Sequence, residues 1–174
     1  RRREWCSAST ANNSDMAPQP QAFQIREPVP PSKGASAQDE LHFQNMLKAL
    51  RLADCCEATD TAFCVGCVVT ASSKTPTLLE SLLATGYSRE IPGNTHAEQC
   101  ALQKIEEVSS TKPPRVGDSE LLSLDLYTTM EPCSERLSGA LPCVDRILAF
   151  NKEGHHLIRK DRDGAERPFR LTIT

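Results

Sequence analysis

The run Phe63-Cys64-Val65-Gly66-Cys67-Val68-Val69 limits the fold more than any other feature of the chain. It is short, apolar and β-branched, and it reads as a central strand. A strand with no polar side must be covered on both faces, and the patterns around it supply the cover. Ser36 followed by Asp39 is an N-cap with an acidic first turn. Phe43, Met46, Leu47 and Leu50 then recur at helical spacing and mark a buried helix face, with Asp54 as the exit. Ser72 to Pro76 is a turn. Leu78 to Tyr87 reads as a second strand hairpin-paired with the first, although its leucines leave a helix open. After the polar loop Arg89 to Asn94, turned by Pro92-Gly93, a helix starts at His96 and runs to about Val108. Its inner face is Ala97, Ala101, Ile105 and Val108.

Leu121 to Thr129 is the third strand, because Leu122, Leu124 and Leu126 alternate with Ser123, Asp125 and Tyr127. Val144 to Phe150 is a short helix running into a strand, and Phe169 to Ile173 supplies a last one. The expected architecture is α/β: a three-layer α/β/α arrangement around a mixed central sheet of about five strands.

The 174 residues suffice for one domain with a buried core. Residues 1–36 are rich in Pro, Ser, Ala, Asn and Gln, and Pro28, Pro30 and Pro31 exclude a helix or central strand there. They read as an N-terminal extension, disordered or laid along the surface as a strap, before a domain spanning 37–174. The net charge of −3 offers neither nucleic acid nor an anionic membrane the basic face it needs. The basic stretch Arg159 to Arg170 is interleaved with Asp161, Asp163 and Glu166 and reads as a solvated loop. No apolar run approaches the roughly 18 residues of a membrane helix, and no secretory stretch opens the chain, so a cytosolic protein is expected. Of the eight cysteines, Cys64, Cys67 and Cys100 are assigned to the core, within a general reading of buried thiols and metal ligands in a reducing compartment.

Three pieces carry chemistry: Thr95-His96-Ala97-Glu98, Glu131-Pro132-Cys133 and Pro142-Cys143. A catalytic zinc uses three protein ligands of imidazole and thiolate type and keeps a fourth position open. His96, Cys133 and Cys143 satisfy that count at strand-to-helix junctions, where helix N-termini favour negative charge. Glu98, in the first turn after His96, can move protons between an activated water and a departing amine. Taken singly the pieces have plainer readings. Thr95 and Glu98 are spaced as a capping box, a lone histidine is an ordinary polar residue, and Cys133 is an ordinary thiol.

Together, H-x-E, then a strand, then P-C and a further Cys match the zinc-deaminase signature in type and order. In these residues the chain resembles the cytidine-deaminase-like superfamily over residues 37 to 150, which implies that superfamily's fold and a zinc cofactor. Base and nucleoside deaminases commonly place two residues between their cysteines, and this chain places nine, Ser134 to Pro142. That gap, within Glu131-Pro132-Cys133-Ser134-Glu135-Arg136-Leu137-Ser138-Gly139-Ala140-Leu141-Pro142-Cys143, resembles the riboflavin-pathway pyrimidine deaminases, in their fungal form. The resemblance implies a hydrolytic deaminase acting on a diaminopyrimidinone that carries a ribitylamino phosphate, with loss of the exocyclic amine as ammonia. It also implies a homodimer or higher homo-oligomer.

For the phosphate, Arg136 is the first candidate, since a guanidinium suits phosphate bidentately; a surface arginine is the alternative. Ser88 and Arg89 are further candidates for the same tail. Asn94 is suited to read the pyrimidine edge, or to serve only as a turn residue. Bacterial relatives carry Asn-Pro just before the Val-Gly of the first strand, and Ala62-Phe63 stand there instead. Phe63 is assigned to the core, with packing on the base as the alternative. Two other functions stay open: deamination of cytidine, cytosine or a tRNA base, and a catalytically silent zinc scaffold. The few aromatics and the acidic balance weigh against a nucleic-acid substrate, and Glu98 weighs against the scaffold.

Overall fold

A computed structural model describes residues 28–32, 34–71, 82–111, 120–160 and 166–173. Helix α1, Ala37–Ala53, starts at a reciprocal capping box: the Asp39 N–H donates to Ser36 Oγ at 3.1 Å, and the Ser36 N–H donates to Asp39 Oδ2 at 3.0 Å. Strands β1, Gly66–Ala71, and β2, Leu82–Tyr87, pair antiparallel as the expected hairpin. Helix α2, Ala97–Val108, leads to strand β3, Glu120–Thr128. Helix α3, Cys143–Glu153, is followed by strands β4, His156–Lys160, and β5, Glu166–Ile173. The sheet order is β2-β1-β3-β5-β4. Among the described strands only the β3–β5 pair is parallel, so the sheet is mixed.

All six residues of β1 are buried, as a strand covered on both faces must be. Val68 points to one side, where Ala49 and Leu52 of α1 and Tyr127 of β3 meet it. Cys67 and Val69 point to the other, into a core with Ala97, Ala101 and Ile105 of α2, Leu122 and Leu124 of β3, and Phe150 of α3. The result is the expected three-layer α/β/α sandwich of five strands. Among the described residues no helix is long and apolar enough to cross a membrane.

Two glycines set how closely the helices approach. A Cβ on Gly66 would lie 1.9 Å from the Ala49 carbonyl oxygen of α1, and one on Gly86 would lie 2.1 Å from the Ala97 carbonyl oxygen of α2. That close seat rotates α1 relative to the expected face: Asn45, Ala49, Leu52 and Ala53 are buried, while Phe43, Met46, Leu47 and Leu50 are only half-buried. Gly86→Ala must push α2 off the sheet, at about 1–3 kcal/mol of overpacking. We expect a lower denaturation midpoint together with weaker metal retention, because His96 leads directly into that helix. A midpoint within error of the parent would show that α2 tolerates the displacement.

Other expectations need correction. Val108 is 69 % exposed and does not belong to the inner face of α2. The stretch Arg159 to Arg170 is not a solvated loop throughout, because β4 and β5 pair antiparallel across it. Phe169 and Leu171 alternate into the core within the last strand expected over Phe169 to Ile173, which begins three residues earlier, at Glu166, and lies beside β3. Cys67 and Cys100 are fully buried as expected, whereas Cys64 is half-buried just before β1 and Cys55 is disulfide-bonded. The expected turn Ser72 to Pro76 and the first residues of the Leu78 to Tyr87 strand lie outside the described residues, as does most of the N-terminal extension.

Candidate functional site

His96 is the N-cap of α2, in extended conformation (φ −91°, ψ 157°), and its side chain makes no capping hydrogen bond. The ring is therefore free to act elsewhere. Nor does a Thr95–Glu98 capping box form. Thr95 Oγ1 donates instead to the Ile91 carbonyl at 2.7 Å, fixing the turn that precedes the helix. Glu98, in the first turn of α2, is buried, and its Oε1 accepts from Thr128 Oγ1 at 3.2 Å at the end of β3.

The two cysteines meet at the start of α3. Cys143 is its first residue, after Pro142 as N-cap. Its N–H points to Cys133 Sγ at 3.4 Å, and the Val144 N–H donates to the Cys133 carbonyl at 3.2 Å. Cys133 thus occupies the positive end of α3, as His96 and Glu98 occupy that of α2. His96 Nδ1 stands 3.5 Å from Cys133 Sγ and 3.4 Å from Cys143 Sγ. The three donor atoms all lie within 4.8 Å of one another.

A tetrahedral zinc, with bonds of about 2.3 Å to sulfur and about 2.0 Å to nitrogen, sets such donors about 3.5 Å apart. The distances found agree with that spacing. The electrostatics agree as well. Burial, and then the Glu98 carboxylate, push the Cys143 thiol well above the usual thiol range. Cys143 Sγ lies 3.5 Å from Glu98 Oε2, so the thiol keeps its proton there until a cation takes the proton's place. Burial, and then the Arg136 guanidinium, lower His96, which keeps the ring neutral and able to ligate.

A cleft of about 270 Å³ opens over His96, Glu98 and Cys133. All four residues considered for the substrate line it, but the structure gives them different occupations. Asn94 is exposed at the rim, and its backbone carbonyl accepts from Arg136 Nη2. Arg136 is half-buried and also donates from Nη1 to Gln99 Oε1 at 3.1 Å. Ser88 is buried, and its Oγ accepts from the Val65 N–H at 3.0 Å, tying the turn after β2 to the segment before β1. Arg89 has a left-handed backbone (φ 63°), uncommon outside glycine. Its N–H donates to the Thr95 carbonyl at 2.8 Å, while its guanidinium turns to Cys56 Sγ at 2.7 Å and to the Glu57 carbonyl.

Phe63 corrects the sequence reading. It is 73 % exposed and lines the cleft, because β1 begins only at Gly66 and the preceding residues form a wall rather than a strand. Met130 and Leu137, both exposed, add to this apolar lining. Thr128 and Gln99 went unnoticed in the sequence. A hydroxyl at the C-terminal end of a strand that leads into Pro-Cys was the available signal for Thr128, whereas Gln99 had none beyond its place beside Glu98.

Comparison with known proteins agrees with this geometry. Residues 39–154 match the family described as the cytidine and deoxycytidylate deaminase zinc-binding region. A diaminohydroxyphosphoribosylamino-pyrimidine deaminase of Schizosaccharomyces pombe is 46 % identical over 107 residues, which cover 62 % of this chain and 23 % of that protein. Among solved structures, the Aspergillus oryzae Rib2 deaminase (a C-terminal deletion mutant at pH 4.6) is 36 % identical, with a TM-score of 0.49 over 62 % of this chain and 61 % of that one. The same deaminase in complex with DARIPP is 33 % identical, with a TM-score of 0.47 over 62 % of each chain. The chain thus spans less than a quarter of the curated relative and under two thirds of the solved ones.

Proposed function

The chain belongs to the cytidine and deoxycytidylate deaminase zinc-binding family, and from that premise we propose that it is a hydrolytic deaminase of the riboflavin pathway. Its substrate is a diaminopyrimidinone carrying a ribitylamino phosphate, and it releases ammonia from the ring. The single observation that carries the chemistry is the buried Glu98 carboxylate beside a His96–Cys133–Cys143 donor set at zinc spacing. The substrate class is supported by the 46 % identical relative and its name.

His96 Nδ1 and the sulfurs of Cys133 and Cys143 would hold the ion. A zinc ion there supplies the Lewis acidity that makes water a competent nucleophile near pH 7. The remaining work falls to the protein. Thr128 Oγ1 donates to Glu98 Oε1 and fixes the carboxylate in the first turn of α2. Glu98 takes one proton of the attacking water and delivers it to the ring nitrogen, then takes the second from the new hydroxyl and passes it to the amine as it leaves. The net result is water consumed, a carbon–nitrogen bond exchanged for a carbon–oxygen bond, and ammonia released.

Phe63, Met130 and Leu137 present apolar surface to a flat ring, and Asn94 stands at the rim with an amide for the ring's edge. Arg136 is the cation we assign to the phosphate, because two N–H groups hold it to the wall and its other donors remain for a tail. The hydroxyl of Ser88 and the guanidinium of Arg89 are committed to the loops around β1, so these two shape the cleft before they serve the substrate. The expected homo-oligomer is supported by the exposed Leu141, Val144 and Leu148 at the start and along one side of α3, and sedimentation of the zinc-loaded chain measures it.

Ammonia release from the ribitylamino phosphate substrate, run beside cytidine, tests the reading. We expect turnover of the former and little of the latter. Turnover of cytidine alone would assign the chain to nucleoside deamination, and turnover of neither by zinc-loaded protein would favour a silent scaffold.

A further inference from the structure

Arg136 sits in the loop between the two cysteines, yet it is held by residues of the 94–99 segment. Nη1 donates to Gln99 Oε1 at 3.1 Å, and Nη2 donates to the Asn94 backbone carbonyl. Gln99 follows Glu98 directly in the first turn of α2, so the bond bridges the two segments that carry the metal donors. A guanidinium has five N–H groups in a fixed plane, and these contacts use two. The Nε atom is buried without a partner among the described residues. The protein therefore fixes the plane of this cation while leaving its donors incompletely matched, in a side chain that lines the cleft.

We propose that Gln99 is a positioning residue for the substrate's anionic tail, acting through Arg136. Its Oε1 holds one corner of the guanidinium, and the Asn94 carbonyl holds a second. The plane then cannot swing toward solvent, and the uncommitted Nη N–H groups meet a phosphate oxygen already oriented. A backbone carbonyl cannot be altered by substitution at Asn94, which leaves Gln99 as the side chain through which this orientation is set. The inference rests on the phosphorylated substrate proposed above.

The test is a double-mutant cycle read by binding. Zinc-loaded protein in a Glu98→Gln background, which limits turnover, is titrated with the ribitylamino phosphate substrate and with its phosphate-free counterpart. Gln99→Leu is expected to raise the dissociation constant for the phosphorylated compound about ten-fold and to leave the other within about two-fold. In an Arg136→Ala background Gln99→Leu adds almost nothing, because the group it positions has gone.

Additive effects in the cycle overturn the proposal, as does equal weakening of both compounds or loss of zinc from Gln99→Leu. Should the leucine variant fail to fold, Gln99→Met, closer to glutamine in shape, carries the same arm. If Gln99-intact protein binds the two compounds alike, the phosphate reading itself falls. That result is distinct from an additive cycle in a protein that does discriminate, where only the positioning role is lost.

Discussion

Glu98→Gln is expected to retain its zinc and to lose turnover by about 10²–10⁴-fold, the usual contribution of a positioned acid–base group. The amide keeps the size of the carboxylate and can still accept from Thr128 Oγ1, so α2 and the donor set stay in place. What disappears is the ability to take a proton and return it. Metal analysis beside a rate assay separates the two outcomes. Near-normal turnover would remove Glu98 from the reaction, while loss of zinc would show that the carboxylate supports the site rather than the chemistry.

Cys143→Ala should act one step earlier. Cys143 is fully buried, and its sulfur faces both His96 Nδ1 and Glu98. Its removal leaves two donors, too few for a tight zinc site, and we expect zinc to be lost on dialysis against a chelator and turnover to be lost with it. The fold should change little in the metal-free state, where the thiol is already neutral. The sign of the pH effect follows from the raised Cys143 thiol. Without metal the folded chain binds a proton more tightly than the unfolded one, so its stability falls as pH rises beyond the ordinary thiol range. Zinc takes the proton's place, so the gain in melting temperature on adding zinc should grow from pH 7 to pH 9. A gain independent of pH would mean that no thiol deprotonates on binding.

The donors were legible in the sequence because metal chemistry is written in residue types. His96, Cys133 and Cys143 are suited to zinc wherever they fall, and the elements that join them followed from local patterns: the helix after His96, the alternating leucines of β3, the proline before each cysteine. The shape of the cleft was not legible to the same degree. Phe63 looks like core when it is read with its neighbours, and only the late start of β1 at Gly66 turns it out to the surface. The buried face of α1 depends on Gly66 admitting Ala49, a contact between residues far apart in the chain. The strand over Phe169 to Ile173 was legible, but its antiparallel pairing with β4 through Arg159, Lys160 and Glu166 was not, because charges there read as a solvated loop. The Arg136–Gln99 bond joins a loop to a helix through two polar side chains that carry no periodic signal at all. Short-range pattern thus pointed to the candidate donors, and long-range pairing decided what surrounds them.

The segment Ser134 to Pro142 begins and ends at almost the same point in space, because the backbone N–H groups of Cys143 and Val144 return to Cys133. A loop closed at its root holds its two cysteines together whatever its span, and Arg136 ties it to the segment that carries His96. On the proposed function, the span outside Arg136 can be lengthened, shortened or exchanged without drawing Cys133 and Cys143 apart, so grafts at this position would change what enters the cleft while the donor set stays as it is.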